Sequence, residues 1–310
     1  MTKKYSILQS LILFGIVTCG VSVSFAADGP KIDFKRSFEV SFTDHITLDV
    51  AVPEGDVNIA FLHAGELAIS ATVRSDDNMP VPADFFENSL KIDRQGNHIQ
   101  IRFVPNPRYS ARDFKVTYNI DVPNEIEVNS NVENGRQTVS GVTEPVKLLS
   151  GSGDIKALYI ATTLEAKTGT GNISVIRTGG AANVETGGGN ISLRDIGPGS
   201  VATVKKGTGR IEMDGVSGSF NGATAAGELD VKGGVYGDWE LKSSSGNIRI
   251  LVSKEFKYDI DALTRSGQLA VHNEDIDTQG KDHARECRQK VNGGGKVVRA
   301  RTESGNIFFD

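Results

Sequence analysis

Short alternating stretches of apolar and polar residues are separated by glycine-rich stretches along most of this chain. In residues 172–189, NISVIRTGGAANVETGGG, Ile173 and Val175 flank a serine, and Ala182 and Val184 flank an asparagine. Successive side chains of a strand point to opposite faces, so each alternating stretch predicts a short strand with one apolar face. The glycine-rich stretches between them predict tight corners, which need a positive φ or a close backbone approach.

This unit recurs at a nearly fixed spacing, as the series Gly153, Gly171, Gly189 and Gly209 shows. A period of about 20 residues is typical of a solenoid, whose stacked rungs bury together what one rung cannot bury alone. The predicted corners are Gly135, Gly153, Gly171, Gly189, Gly209, Gly227, Gly246, Gly267 and Gly305. An apolar residue two positions after the corner predicts a core column of Ile155, Ile173, Ile191, Ile211, Leu229, Ile248, Leu269 and Ile307.

The pattern therefore predicts an all-β fold, a β-helix-like solenoid with rungs of roughly 18–21 residues. Residues 126–310 are the predicted solenoid, with an inserted loop or hairpin at 272–296 where polar residues break the pattern. The step from Gly267 to Gly305 is about twice the usual one, which predicts a degenerate or interrupted rung between them. Residues 27–125 are strand-rich but less regular, and we expect them to form an N-terminal β region that caps the open end. A short helix is predicted within residues 82–90.

Residues 1–26 predict a signal peptide and not a part of the fold. Lys3 and Lys4 precede an apolar stretch at 7–23, and Ser24-Phe25-Ala26 is a cleavage site with small residues at its first and third positions. A lipoprotein signal ending at Cys19 is the alternative. No later apolar stretch is long enough to span a membrane. We therefore expect an exported protein, either periplasmic or on the cell surface.

Charge and cysteine content narrow the class of partner. The formal charge is −5, and loss of Lys3 and Lys4 with the signal peptide gives −7, which argues against nucleic acid and against an anionic membrane surface. Removal of Cys19 would leave only Cys287, so no internal disulfide is expected. The solenoid should hold together by stacking, and the expected partner is an envelope macromolecule or a second copy of the chain.

Calcium binding is the main alternative explanation for the repeated glycine corners, because β-rolls that bind calcium use glycine–aspartate repeats. Calcium needs six to eight oxygen ligands, usually with several carboxylates. The residues that follow the corner glycines are mostly amides and include Arg136 and Arg210. This column favours a turn position that tolerates left-handed backbone, and we expect no cofactor and no metal.

Other chemistry-bearing residues are scattered. His283 and Cys287 are four residues apart and could share a helix face, and Glu274, Asp275 and Asp277 could hold a cation with His272. The five histidines have no evident partner, and Lys242 and Arg249 stand isolated in sequence. Hydrolase, phosphate-loop and metalloprotease motifs are absent from the sequence. The lone Trp239 is expected in the core, and no catalytic residue is predicted.

Three stretches together resemble the bacterial DUF4097 family of candidate adhesins, also grouped with toastrack-type envelope domains. They are VTYNIDVPNEIEVNSNVENG at 116–135, the SGSGDI-like corners from Ser150 onward, and the closing TESGNIFF. The resemblance covers roughly residues 38–310. It implies a right-handed, β-helix-like solenoid exposed to the cell envelope, and it carries over no catalytic residue.

These observations support three hypotheses about function. The first is a non-enzymatic structural or interaction protein of the bacterial envelope, similar to an adhesin. The second is a ligand-sensing accessory of an envelope-stress response. The third is a carbohydrate-active enzyme on a β-helix, which would need a cluster of acidic and basic residues on one face.

Overall fold

The computed structural model describes side chains in residues 45–62, 65–75, 81–104, 114–203, 208–272 and 284–310, and only the backbone of residue 204. It describes only the backbone of strands at 19–26, 29–39 and 274–275. Within these residues the fold is all-β, with two sheets that enclose one core and a single short helix, α1 (Phe85–Ser89). The helix lies within the predicted residues 82–90, so that prediction is confirmed.

Sheet A contains 15 strands among the described residues, numbered along the chain. In spatial order they are β1 (Cys19–Ala26), β2 (Gly29–Glu39), β5 (Glu66–Ser75), β8 (Phe114–Val122), β4 (Asp56–Phe61), β10 (Gln137–Ser140), β12 (Ile155–Ile160), β14 (Ile173–Thr178), β16 (Ile191–Ile196), β18 (Ile211–Val216), β20 (Leu229–Gly233), β22 (Ile248–Val252), β28 (Ile307–Phe309), β24 (Leu269–Val271) and β25 (Glu274–Asp275).

Sheet B contains 13 strands in the described part of the chain. Their spatial order is β26 (Arg285–Val291), β23 (Tyr258–Thr264), β27 (Lys296–Thr302), β21 (Trp239–Ser243), β19 (Phe220–Thr224), β17 (Ser200–Val204), β15 (Ala182–Thr186), β13 (Leu164–Thr168), β11 (Val146–Ser152), β9 (Ile126–Asn134), β3 (Ile46–Glu54), β7 (His98–Phe103) and β6 (Leu90–Gln95).

Each rung gives one strand to each sheet, and neighbouring rungs pair in parallel. In β14 and β16, Ile173 pairs with Ile191 and Val175 with Leu193, all of them buried. The regular period keeps this register from rung to rung, because side chains alternate between the two faces of a strand. The apolar positions therefore meet between the sheets, and the polar positions form two outer faces.

Antiparallel strands close the solenoid at both ends. At the N-terminal end β5 pairs antiparallel with β8, and β6 with β7. Aromatic side chains pack there around Phe85, whose ring centroid lies 5.0 Å from that of Phe114. At the other end β26 pairs antiparallel with β23. Such strands cover the open ends that stacked parallel rungs would otherwise expose.

The rungs do not follow chain order at the C-terminal end. Strands β27 and β28 lie between β21–β22 and β23–β24, so Ile307 pairs with both Ile248 and Leu269. The expected rung between Gly267 and Gly305 is therefore wrong, because the rung of Gly305 is inserted before that of Gly267. Within the loop or hairpin predicted at 272–296, Arg285–Val291 form strand β26, which pairs antiparallel with the edge of β23.

The N-terminal edge of sheet A involves the predicted signal peptide. Strand β1 pairs antiparallel with β2, from Cys19 opposite Arg36 to Ala26 opposite Gly29. Cleavage after Ala26, as the sequence predicts, would remove β1 whole and leave β2 as the edge strand. No helix among the described residues is long and apolar enough to cross a membrane.

Candidate binding face

The predicted corner glycines form a tight column at one end of the rungs. A Cβ atom added at Gly171, Gly189 or Gly246 would lie closer than 3.0 Å to the carbonyl oxygen of the preceding corner glycine. Gly55 begins the column, because a Cβ on Gly135 would meet its carbonyl in the same way. Close stacking of backbones therefore requires glycine at these corners, and only the first members, such as Gly153 with φ 152°, also have a positive φ.

A column of buried hydroxyl groups lies beside these corners. Thr168 donates to the carbonyl of Gly153 at 3.0 Å and accepts from the N–H of Gly171 at 3.2 Å. Equivalent hydroxyls belong to Thr186, Thr224, Ser243, Thr264 and Thr302. Each lies three residues before a corner glycine, so the sequence signal is Thr or Ser at that spacing, which our sequence reasoning missed.

The residues after the corner glycines form a second ladder. Asp154 Oδ1 accepts from the N–H of Asn172 at 2.8 Å, and Asn172 Oδ1 accepts from the N–H of Asn190 at 2.9 Å. Asn190 in turn accepts from the N–H of Arg210 at 2.8 Å. The expected left-handed backbone at this column is wrong, since none of these four residues has a positive φ. Side chains with an oxygen suit these positions because that oxygen caps the next rung.

The predicted core column lies on the inner face of sheet A, which packs against sheet B. Ile155, Ile173, Ile191, Ile211, Leu229 and Ile248 pair in register from strand to strand, followed by Ile307 and Leu269. All eight are at most 1% exposed. Gln137 takes the same position in β10, where its amide donates to the carbonyl of Leu149 at 2.6 Å.

The outer face of sheet B carries a trough at its N-terminal end, lined mainly by residues with polar side chains, which we call the sheet B trough. It has a volume of about 490 Å³ and crosses strands β7, β3, β9 and β11. Its lining is Asp49, Val50, Ala51, Gln100, Arg102, Asn129, Ser130, Asn131, Lys147 and Leu149. A second depression of about 490 Å³ shares Asn129 and Lys147 with it and continues across β13 and β15. The outer face is therefore grooved along several rungs.

The charged groups of the trough are paired at its rim, and amides fill its middle. Asp49 Oδ2 lies 2.6 Å from His98 Nε2, and Lys147 Nζ lies 3.3 Å from Glu165 Oε2. A hydrogen bond from Lys167 lowers the pKa of the Glu165 carboxyl. The side chains of Gln100 and Asn131 have no hydrogen-bond partner among the described residues. The trough thus offers free amide donors and acceptors beside a partly exposed Leu149.

The C-terminal end of the same face carries an arginine cluster. Asp261 accepts from Arg301 at 2.6 Å and from Arg299 at 3.0 Å. Burial alone would raise the pKa of Asp261, but these hydrogen bonds hold it below the usual value. Lys242 faces the same side, with its Nζ 2.6 Å from Glu240. A depression of about 570 Å³ lies between Lys242, Arg301 and Arg265.

Several sequence expectations change at these surfaces. The isolation of Lys242 and Arg249 is wrong, since Lys242 pairs with Glu240 and Arg249 lies beside Asp230 in register. Glu240 is two residues from Lys242 on strand β21, so that pair was visible in the sequence, whereas Asp230 comes beside Arg249 only through the pairing of β20 with β22. Two histidines meet acids that are distant in the chain: His98 contacts Asp49, and His45 Nε2 lies 3.9 Å from Glu127 Oε2.

The candidate metal residues lie apart or outside the described part of the chain. Cys287 is on strand β26 and is buried, which raises the pKa of its thiol, so the expected shared helix face with His283 is wrong. His283 and Asp277 are outside the described residues, and only the backbone of Glu274 and Asp275 is described. Within the described residues no group of three or more His, Cys, Asp or Glu side chains could hold a metal ion. Trp239 is buried as expected and donates to the carbonyl of Gly218 at 3.3 Å.

Stacked parallel rungs, a closed core and grooved outer faces define this chain as a two-sheet β-solenoid. The model of the Toastrack DUF4097 family matches residues 44–308, so the chain belongs to that family. No curated protein sequence matches the chain.

Solved structures of bacterial proteins are similar to it at low identity. A candidate lipid-binding protein from Parabacteroides distasonis is 15% identical, with 89% of this chain and 96% of that one covered and a TM-score of 0.48. A candidate adhesin from Bacteroides fragilis is 10% identical, with coverages of 90% and 97% and a TM-score of 0.36. A candidate cell adhesion protein from Clostridium sporogenes is 9% identical, with coverages of 95% and 99% and a TM-score of 0.25.

Proposed function

We propose that this chain is an exported, non-enzymatic protein of the bacterial cell envelope that binds a macromolecular partner through the outer face of sheet B. The sheet B trough is the observation that carries the proposal. Its free amides, from Gln100 and Asn131, sit beside the partly exposed side chain of Leu149. Hydrogen-bond donors and acceptors beside apolar surface suit the recognition of a partner surface of mixed polarity.

The signal peptide predicted at residues 1–26 supports export, and membership of the Toastrack family supports an interaction role. The outer acids of sheet B also favour binding over catalysis. Glu165 is held by Lys147 and Lys167, and Asp261 by arginines, so these carboxylates act as fixed ion pairs. General acid–base work instead calls for a carboxyl with a pKa near the working pH.

Location is the first test. The chain is tagged after Asp310 in its native host, and intact cells are exposed to protease. Cleavage without lysis supports display on the surface, and protection until the outer barrier is opened supports the periplasm. A tag that stays protected until the cytoplasmic membrane is also broken contradicts export in either form.

Contact at the trough is the second test. A photo-crosslinking amino acid replaces Asn131 in the trough, and a matched variant carries it at Glu212 on the outer face of sheet A. We expect a crosslinked adduct in cells from position 131 and none from position 212. Equal labelling at both positions, or none at 131, contradicts a binding role for this face.

A second candidate function is a ligand-sensing accessory of an envelope-stress response. The trough has a volume of about 490 Å³. That volume favours this function, because sites for small molecules usually enclose roughly 300–1,000 Å³. Saturable binding of a cell-wall or lipid fragment would support it. A thermal-shift panel of such fragments that leaves the melting temperature unchanged would count against it.

A further inference from the structure

A second column of residues, next to the last residues of the sheet A strands and opposite the glycine column, has left-handed backbone. Gly141, Tyr159, Arg177, Asp195 and Gly215 follow one another on successive rungs, with φ of 75°, 55°, 61°, 53° and 83°. Glycine occupies such a conformation without strain, whereas other residues lose about 1–2 kcal/mol. Three successive rungs nevertheless carry Tyr159, Arg177 and Asp195 here. Retained backbone strain of this kind is a reason to look for a function of the side chains.

The three side chains form an exposed row, which we call the corner ridge. Tyr159 is 55% exposed, and the side chains of Arg177 and Asp195 are 66% and 56% exposed. The Arg177 guanidinium lies 5.6 Å from the centroid of the Tyr159 ring, and its Nη2 lies 4.0 Å from Asp195 Oδ2. Because neighbouring strands are about 4.8 Å apart, a ring, a cation and a carboxylate follow one another at that spacing.

One side of the Tyr159 ring faces a rung that has no side chain at this corner. Gly141 occupies the preceding position, and Arg177 lies on the opposite side. Beyond Gly141, strand β4 ends at the exposed Phe61 and is followed by the exposed Leu62, and a Cβ on Gly141 would lie 3.0 Å from the Cβ of Phe61. The ridge therefore presents an exposed aromatic ring next to further apolar side chains.

We propose that the corner ridge binds a pyranose ring of a neutral glycan. The C–H face of the sugar would pack on Tyr159, and its hydroxyls would hydrogen-bond to Arg177 and Asp195. An exposed aromatic ring supplies a flat apolar surface at low conformational cost, and the guanidinium and carboxylate supply fixed donors and acceptors. Because the two charges offset each other, the ridge has no preference for an anion.

The size of the ridge also favours a sugar over a protein. A stable protein interface buries about 800 Å² on each partner, whereas the ridge offers one open ring and a neighbouring charge pair. The spacing of the rungs places successive polar groups along a line, which suits a chain of sugar rings lying across the strands. The corner ridge is separate from the sheet B trough, and the inference does not depend on export.

The test is isothermal titration calorimetry on the purified full chain. The ligands are neutral hexasaccharides of glucose, mannose, galactose and N-acetylglucosamine. We expect at least one to bind, and we expect Tyr159→Gly to weaken that binding about tenfold or more. Tyr159→Phe should stay within about threefold, because it keeps the ring. Glycine suits the left-handed backbone at this position, so Tyr159→Gly should fold at least as well as the wild type.

The matched control is His272→Gly. His272 has φ 51° and lies away from the ridge, so this variant relieves the same strain and should bind as the wild type does. The inference is overturned if the wild type binds none of the hexasaccharides, or if Tyr159→Gly binds as tightly as the wild type. Either result leaves the crosslinking test of the trough untouched, so the two proposals fail separately.

Discussion

The hydroxyl of Thr186 lies 2.8 Å from the carbonyl oxygen of Gly171, the corner glycine of the preceding rung. The same hydroxyl accepts from the N–H of Gly189 in its own rung at 3.0 Å, and the side chain is fully buried. Thr186→Val keeps the shape but leaves both backbone groups without this partner. We expect it to lower the free energy of unfolding by about 2–3 kcal/mol, measured by urea denaturation.

Two further variants separate the hydrogen bonds from the shape of the side chain. Thr186→Ser keeps the hydroxyl and should recover most of the loss. Thr203→Val, on the outer face of sheet B, should change stability by less than about 0.5 kcal/mol. If Thr186→Val and Thr203→Val had the same effect, the hydroxyl column would have no role in joining the rungs.

A methyl group at a stacked corner should be far more damaging than one at an open turn. In Gly189→Ala the new Cβ would lie closer than 3.0 Å to the carbonyl oxygen of Gly171, so the two rungs would have to separate. We expect a loss of more than about 3 kcal/mol, or failure to fold. Gly96→Ala is the control, because Gly96 has φ 61° with nothing within 4 Å of the new atom. It should lose about 1–2 kcal/mol through backbone strain alone, and equal losses would contradict the stacking account.

The order of the rungs could not be predicted from spacing. Corners and apolar positions repeat at a nearly fixed interval because each rung must stack on the next. The sequence therefore predicted the solenoid, and it predicted that residues such as Ile191 lie in its core. A rung of standard shape fits between any two others, however, and the spacing of Gly267 and Gly305 does not say which neighbours they have.

The contacts on the outer faces of the sheets could not be predicted from the sequence for a related reason. The contact between Asp49 and His98 joins strands β3 and β7, and the two residues are 49 positions apart in the chain. The hydroxyl column, in contrast, is local: Thr186 and Gly189 are three residues apart, so this feature could have been found in the sequence. The trough and the corner ridge depend on which strands lie side by side, and only the fold supplies that.

The ladder of side chains that follows the corner glycines should stabilise the solenoid without bound calcium. Asn190 accepts from the N–H of Arg210 at 2.8 Å. Asn190→Asp keeps this acceptor and should be nearly neutral, whereas Asn190→Leu should lose about 1 kcal/mol. A chelator such as EDTA should leave the melting temperature of all three proteins unchanged. A rise in melting temperature on adding calcium would contradict this prediction.

Asp261 should make part of the stability depend on pH. Its folded-state pKa is lowered, so the arginine pairing contributes fully above the unfolded value of about 3.9 and is lost as the pH falls through the folded value. Asp261→Asn should therefore be less stable than the wild type at pH 7, with a difference that narrows in acid below about pH 4. Urea midpoints across this range measure it. Asp121→Asn, which removes an acid from the outer face of sheet A, is the control, and a gap of constant size for Asp261→Asn would contradict the pairing.

Removing the last two strands should disrupt the pairing of their neighbours on both sides, because these strands lie between other rungs and not at the end of the solenoid. Strand β28 joins β22 to β24, and β27 joins β21 to β23. A variant without residues 296–310 should therefore lose amide protection in β21, β22, β23 and β24, while β13 and β15 stay protected, because each rung contacts only its neighbours. Hydrogen exchange with mass spectrometry measures this strand by strand. A solenoid built in chain order would keep β21–β23 and β22–β24 paired, so retained protection there would contradict the inserted rung.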